Sequence, residues 1–147
     1  MIKRNPATVA EEIGRQLERF ERLLRRGPTH LDSHQHVHRR EPARSILVRL
    51  GEQLGVPVRH FGAVRYEGSF HGQDASGAPL PEAISAERLA GLIRNLPAGT
   101  TELACHPGAE PEAGSGYARE RPRELEALCD PRVRAAVEAH GIELCSF

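Results

Sequence analysis

The chain has 147 residues, and its 20 basic and 20 acidic side chains give a formal net charge of zero. This length suits one domain, predicted over residues 1–147, and the balanced charge disfavours nucleic acid or an anionic membrane as a partner. Aromatic residues make up only 4% of the chain and tryptophan is absent, so base-stacking platforms are not expected either. No apolar run has the length of a membrane span. Three cysteines without a CxxC pair indicate reduced thiols and a cytoplasmic location.

Five helices are predicted from apolar residues at helical spacing and from capping residues at their ends. The first covers residues 8–26, with Thr8 as its N-cap and Gly27-Pro28 as its end. The other four cover residues 42–55, 85–96, 119–128 and 130–140. The run 119–126 is rich in arginine and glutamate, which predicts a helix face in contact with solvent.

Four strands are predicted between these helices, at residues 29–34, 56–58, 101–106 and 142–147. Residues 59–84 and 109–118 contain several glycines and prolines and are predicted to be irregular loops. Strands that alternate with helices indicate an α/β fold with parallel strands and right-handed crossovers. Because four strands cannot close the usual eight-stranded barrel, and because the chain opens with a helix, we expect upstream strands to be missing.

A cluster of histidines is the strongest chemical signal, since four of the eight histidines fall within residues 30–38 together with one aspartate. If the chain is extended there, alternation places them on one face. These residues are His30, Asp32, His34, His36 and His38. Imidazole suits Zn²⁺, Co²⁺ or Ni²⁺, whereas Mg²⁺ prefers oxygen ligands. The alternative is that most of these histidines are hydrogen-bonded strand residues and that at most one is a ligand.

His106 is the second candidate for chemistry, because it follows the third predicted strand and precedes Pro107-Gly108, which turns the chain away. An imidazole at the edge of a sheet suits a general acid that protonates a leaving amine. The alternative is a hydrogen-bonded structural histidine. The neighbouring Cys105 points to the opposite face of the strand and is expected to be buried.

Three side chains after the second predicted strand are candidate substrate-binding residues: Arg59, Arg65 and Tyr66. An arginine at this position can hold a substrate oxygen or a carboxylate of the site. The alternative is that the arginines are solvated loop residues. His60 and His71 have no spacing that demands a function.

Two strings of the sequence, PTHLDSHQHVH at residues 28–38 and TELACHPG at residues 101–108, resemble the YdjC-like carbohydrate deacetylases. The resemblance extends to YARER at 117–121 and GIELCSF at 141–147, so it covers nearly the whole chain. GSFHGQ at 68–73 is most similar to the branch of the family that is associated with hopanoid biosynthesis. The family also contains the chitooligosaccharide deacetylases.

The resemblance implies a partial TIM-like (β/α) barrel, with its N-terminal strands missing, and hydrolysis of an N-acetyl group on a saccharide. It also implies a divalent metal ion (Zn, Co or Mg), a carboxylate base and a histidine acid. In this chain the implied metal ligand is His34, and the implied acid or substrate contact is His106. Alternative or supporting ligands are Asp32, His36, His38 and His30.

The other ligands of the family are an aspartate from an early Asp-Asp pair and a histidine from a second early segment, and neither has a counterpart in this sequence. The chain therefore resembles the C-terminal part of a longer deacetylase, and the expected partners are a missing N-terminal half or other copies of the chain in a homo-oligomer. Two other interpretations stay open. An amidohydrolase-type metal hydrolase also has His-x-His at a strand end, but it needs a later aspartate that is not evident after Glu102. A non-catalytic metal-binding fragment would leave apolar surface uncovered and would self-associate.

Overall fold

The computed structural model describes residues 5–110 and 114–147, which form two compact units. One unit lies within Met1–Arg65 and includes Phe147, and the other is Tyr66–Ser146. Residues 111–113 of the predicted loop 109–118 lie outside the described residues. The single domain over residues 1–147 stays a prediction.

All five predicted helices are present: α1 (Pro6–Leu24), α2 (Ala43–Leu54), α3 (Ala86–Arg94), α4 (Glu120–Leu128) and α5 (Pro131–Ala139). Capping explains where two of them begin. The Ser85 side chain accepts a hydrogen bond from the Arg88 N–H at 3.1 Å, and Asp130 accepts one from the Arg132 N–H at 2.8 Å. In the part of the chain that the structure describes, no helix has the length and apolar character needed to cross a membrane.

α1 begins earlier than the sequence predicts. Its N-cap is Asn5 and not Thr8, because the Asn5 side chain accepts a hydrogen bond from the Ala7 backbone N–H at 3.0 Å. Pro6 follows at the first helical position, where a missing N–H leaves no helical hydrogen bond unmade. The helix ends at Leu24, and Arg25 has a left-handed backbone conformation.

The two helices of the first unit differ in how tightly they pack. The apolar face of α1 lines a cavity of about 760 Å³, and none of the described α1 residues is buried. α2 packs closely, since a Cβ atom on Gly51 would lie 2.4 Å from Cγ2 of Val58. Glycine at position 51 therefore allows α2 to lie directly on the extended segment that contains Val58.

Of the four predicted strands, one is present in a shorter form, two are reduced to a single bridge and one is absent. β1 (Arg65–Glu67) and β2 (Thr101–Leu103) form a small parallel sheet, which together with the helices confirms the α/β class. Segments 29–34 and 56–58 are joined only by a parallel bridge between Leu31 and Val58. Pro57 has no N–H to donate, which limits the pairing of its segment. Residues 142–147 have no regular secondary structure, so the predicted final strand was wrong. The barrel stays a prediction.

Two other segments also differ from the sequence prediction. Residues 59–84, predicted to be irregular, contain β1 and a 3₁₀ helix at Pro81–Ile84. Residues 34–38, whose histidines would share one face only if the chain stayed extended, form a 3₁₀ helix at His34–Arg39 in which Gln35 and His36 have φ angles of 52° and 54°. The histidines of this segment therefore do not alternate along one strand face.

The apolar core of the second unit forms where α3 packs against α4 and α5. Its buried residues are Phe70, Ile84, Leu89, Ala90, Ile93, Ala127, Val133 and Ala136. Burial of such side chains is the main favourable term in folding. This core supports both the end of β2 and the buried face of α4.

The variant Phe70→Ala should destabilise the protein, because the Phe70 side chain is 0% exposed in this core. The expected loss in the free energy of unfolding is about 3–5 kcal/mol, measured by urea denaturation. The control is Leu144→Ala, at a side chain that is 82% exposed. The control should change stability by less than about 0.5 kcal/mol. Equal effects of the two substitutions would contradict this core.

Candidate functional site

Three histidines of the first unit lie close together. Nitrogen atoms of His36, His38 and His60 lie within 4.8 Å of one another. His36 and His38 come from the 3₁₀ helix, and His60 follows the bridge that Leu31 forms with Val58. The bridge thus brings two separate segments of the chain to one cluster of imidazoles.

His38 is the buried member of this cluster, and both of its ring nitrogens are engaged. Its Nε2 donates to the Arg59 carbonyl at 3.0 Å, because a carbonyl oxygen can only accept. Its Nδ1 then accepts from the Ser33 hydroxyl at 2.7 Å, and Ser33 Oγ also accepts from the His38 backbone N–H at 3.0 Å. His38 therefore joins the two segments and leaves no lone pair free for a metal ion.

His36 and His60 form a pair beside it. Nδ1 of His36 lies 3.3 Å from Nε2 of His60, a separation that an N–H···N hydrogen bond explains. The same separation fits a metal ion, because two nitrogens each 2.0–2.1 Å from a tetrahedral Zn²⁺ lie about 3.3–3.4 Å apart. The pair therefore has the spacing of two zinc ligands.

Both residues of this pair have a strained backbone. The φ angle is 54° at His36 and 70° at His60, in the left-handed region that favours glycine. Such strain costs on the order of 1–3 kcal/mol per residue, and it is most frequent at ligand and active sites. Burial and the Arg59 guanidinium lower the pKa of His36, and burial and Arg39 lower the pKa of His60. Both shifts favour the neutral imidazole, which is the form that binds metals.

The other predicted ligands of this unit lie elsewhere. Asp32 forms an ion pair with Arg59, a predicted substrate-binding residue. The His30 ring stacks on Phe147, with ring centroids 4.3 Å apart. His34 is exposed at the start of the 3₁₀ helix and does not belong to the histidine cluster. The roles of these residues as ligands or substrate contacts stay predictions.

A second group of polar side chains lies in the second unit. Ligand atoms of His71, His106 and Glu124 lie within 4.8 Å of one another. His106 is exposed after the end of β2, His71 follows β1, and Glu124 belongs to α4. The structure therefore places the predicted acid, His106, beside two residues that the sequence analysis did not select.

Glu124 is the buried centre of this group, with 0% exposure. One carboxylate oxygen accepts a hydrogen bond from the His106 backbone N–H, and the other accepts one from the Tyr117 hydroxyl. These two donors compensate for the removal of the carboxylate from water. Because Glu120 is also buried, the prediction of a solvated face over residues 119–126 was wrong for these two glutamates.

Tyr117 connects Glu124 to the loop that carries His71. Its hydroxyl donates to Glu124 and accepts from the Gly72 backbone N–H at 2.6 Å. A Cβ atom on residue 72 would lie 2.7 Å from Cδ1 of Ile84 and 3.1 Å from the Tyr117 hydroxyl, so any side chain at this position would force its neighbours to move. Burial and the hydrogen bond to Glu124 raise the pKa of Tyr117, which therefore stays protonated.

The aromatic rings of this group pack on one another. His71 stacks on Tyr117 with ring centroids 4.6 Å apart and an angle of 8° between the planes. His106 meets the Tyr117 ring edge-on at 5.5 Å, and the two imidazole centroids are 5.7 Å apart. An exposed imidazole on such a fixed support can give a proton to a reacting group or take one from it.

Arg65 and Tyr66 belong to β1 and not to a loop. Arg65 is exposed, and Tyr66 is half-buried against Gly68. Their predicted contacts with substrate stay predictions. Cys105 is half-buried against the apolar core.

Cys105 should react with iodoacetamide more slowly than Cys129 and Cys145. Burial and the negative charge of Glu124 raise the pKa of the Cys105 thiol, whereas the other two cysteines are exposed. The thiolate is the reactive form, and an unperturbed thiol has a pKa of about 8.5, so a time course near pH 8 separates the three sites. Peptide mass spectrometry measures each rate, and equal rates would contradict the burial of Cys105.

Four members of these groups are not predicted from the sequence: His60, His71, Tyr117 and Glu124. One signal for Glu124 was available, since Glu120 and Glu124 are four residues apart and share a helix face with Ala127. A signal for His71 was its neighbour Gly72, since a glycine beside a polar side chain can mark a close backbone approach.

Comparison with known proteins gives a consistent family. The family model described as YdjC-like protein matches residues 2–139. A carbohydrate deacetylase of Geobacillus stearothermophilus is 29% identical over 147 residues, which are 95% of this chain and 58% of that protein. A chitooligosaccharide deacetylase of Serratia marcescens is 32% identical over 151 residues, covering 95% of this chain and 59% of that protein.

Similarity extends to a mouse protein and to a solved structure. A carbohydrate deacetylase of Mus musculus is 29% identical and covers 95% of this chain and 61% of its own length. A crystal structure from Enterococcus faecalis V583, of a protein assigned provisionally to cellobiose-phosphate cleavage, has a TM-score of 0.74 at 24% identity. The matched region covers 98% of this chain and 60% of the Enterococcus chain, and this similarity supports a shared fold only. The chain thus spans about 60% of the length of the relatives it matches.

Proposed function

Because this chain belongs to the YdjC-like protein family, we propose that it acts in removing an N-acetyl group from an amino sugar with the help of a divalent metal ion. Two kinds of relative support the substrate class, since they are named carbohydrate deacetylase and chitooligosaccharide deacetylase. The reaction is the hydrolysis of an amide bond on an acetylated saccharide. The partial TIM-like barrel and a cytoplasmic setting with reduced thiols belong to the same proposal.

The observation that carries the proposal is the exposed His106 imidazole on a backbone that a buried carboxylate holds. Hydrolysis of an amide requires a proton on the departing amine, because an unprotonated amine leaves poorly. An imidazole titrates near neutral pH, so it can supply this proton and be protonated again from water. We assign this role to His106, with Arg65 and Tyr66 of β1 proposed as substrate contacts.

The donor atoms of the first unit fit a divalent metal ion. Nδ1 of His36 and Nε2 of His60 have the separation of two ligands in a tetrahedral site, and both rings are only partly exposed. His34 lies two residues before His36 and is the ligand that the family resemblance implies. Imidazole donors favour Zn²⁺ or Co²⁺ over Mg²⁺. When bound, such an ion supplies a Lewis acid that polarises a carbonyl group and makes water more acidic.

The activity is tested by acetate release from N-acetylated chitooligosaccharides, with Zn²⁺ or Co²⁺ added to the full chain. The variant His106→Gln should lower the rate by about 10²–10⁴-fold, the usual contribution of general acid catalysis. The matched control is His140→Gln, at an exposed histidine that caps α5, and it should keep the wild-type rate. Absence of acetate release from the wild-type chain would reject the enzymatic proposal. If the same chain still bound the metal, the non-catalytic metal-binding alternative would be favoured.

The metal site is tested by titration of the chain with Co²⁺, whose visible absorption is strong when its coordination is tetrahedral. The variants His36→Ala and His60→Ala should each weaken binding by at least roughly tenfold, because each removes one of the paired donors. His34→Ala tests the ligand that the resemblance implies, and His140→Ala is the control. Unchanged Co²⁺ affinity in both paired variants would contradict this site.

A further inference from the structure

We propose that Glu124 is a positioning residue, which holds the His71 and His106 imidazoles in place through the His106 backbone and the Tyr117 ring. The inference rests on the proposed function where it concerns catalysis, since it assigns a support to the proposed acid. The arrangement itself is a property of this chain and does not depend on the reaction.

The contacts of Glu124 reach two different segments. One oxygen of its carboxylate accepts from the backbone N–H of His106, three residues after the end of β2 at Leu103. The other accepts from the hydroxyl of Tyr117, in the segment before α4. Hydrogen bonds to an ionised group are shorter and about twice as strong as neutral ones. The carboxylate therefore fixes the direction in which the chain leaves β2, and with it the start of the His106 side chain.

Tyr117 extends this support to His71. Its hydroxyl also accepts from the Gly72 N–H at 2.6 Å, and its ring stacks on the His71 imidazole at 4.6 Å. A second hydrogen bond joins the same two loops, since Gln73 Nε2 donates to the Gly116 carbonyl at 2.6 Å. His71 is thus held in place by the hydrogen bond of the adjacent Gly72 and by the stacking of its own ring on Tyr117.

Glu124 itself does not meet the substrate. Its 0% exposure and its two engaged oxygens exclude direct contact with a saccharide, whereas the His106 side chain is exposed. The same geometry explains why a carboxylate is needed at this position. A glutamine at position 124 offers one carbonyl oxygen and one NH₂ group, so it can accept from only one of the two donors.

The experiment compares Glu124→Gln with Glu126→Gln, which removes the same charge from an exposed position of the same helix. The first readout is the NMR signals of the histidine rings and of the His106 amide proton, with the His140 ring as an internal reference. In Glu124→Gln the His71, His106 and amide signals should shift, and in Glu126→Gln they should stay as in the wild type. The second readout is deacetylation, where Glu124→Gln should lower kcat by about 10²-fold with little change in KM, because a small displacement of a catalytic group has this effect.

Tyr117→Phe is the milder variant, and it decides the question if Glu124→Gln fails to fold. It removes only the hydroxyl, so the His71 signals should move more than the His106 amide signal. Unchanged ring signals in every folded variant of this pair would overturn the positioning role, whatever the activity. A wild-type chain that releases no acetate would reject the proposed function instead, and the ring signals would still decide the role of Glu124.

Discussion

A carboxylate that is buried from solvent needs hydrogen-bond donors from the protein itself, and Glu124 of the second unit is such a carboxylate. Its two acceptor oxygens bind a backbone amide from one segment and a phenol from another, so a single helix position organises two connecting segments. In the first unit His38 has an equivalent role, since its ring bonds to Ser33 and to the carbonyl of Arg59. In both units a buried polar side chain helps to join the segments that carry the grouped histidines, and in the first unit it does so beside the bridge between Leu31 and Val58.

Much of the helical structure could be read from the sequence, because the signals are local. Ser85 and the pair Asp130-Pro131 mark helix starts, and Gly55 marks a helix end, so α2, α3 and α5 appear within a few residues of the expected positions. The family was also recognisable from the sequence, since each of its two diagnostic strings is an unbroken run of residues. His106 was selected for the same reason, from its place between a strand and Pro107.

The rest depended on information that is not local. Alternation in the histidine run indicates a strand, yet His36 has a left-handed conformation that no neighbouring glycine announces. Glu124 belongs to a run that is rich in arginine and glutamate, which is typical of a solvated helix face. Its burial could not be predicted, because its two hydrogen-bond donors lie 18 and 7 residues away in the chain. His60 and His36 form a pair although they are 24 residues apart, so no local pattern links them. Short-range patterns in the sequence therefore identified the reactive residue types, but they missed the residues that contact these side chains in the folded protein.

The close contacts of Gly72 restrict which residues can occupy several positions of the second unit. Its amide reaches the Tyr117 hydroxyl only because no side chain intervenes, and the space that a methyl group would need is already filled by Ile84 and Glu120. The residue types that fit at positions 72, 84, 117 and 120 therefore depend on one another. A YdjC-like protein with alanine at the first of these positions is therefore expected to have a smaller side chain at position 84 or 120, which would make room for the added methyl group.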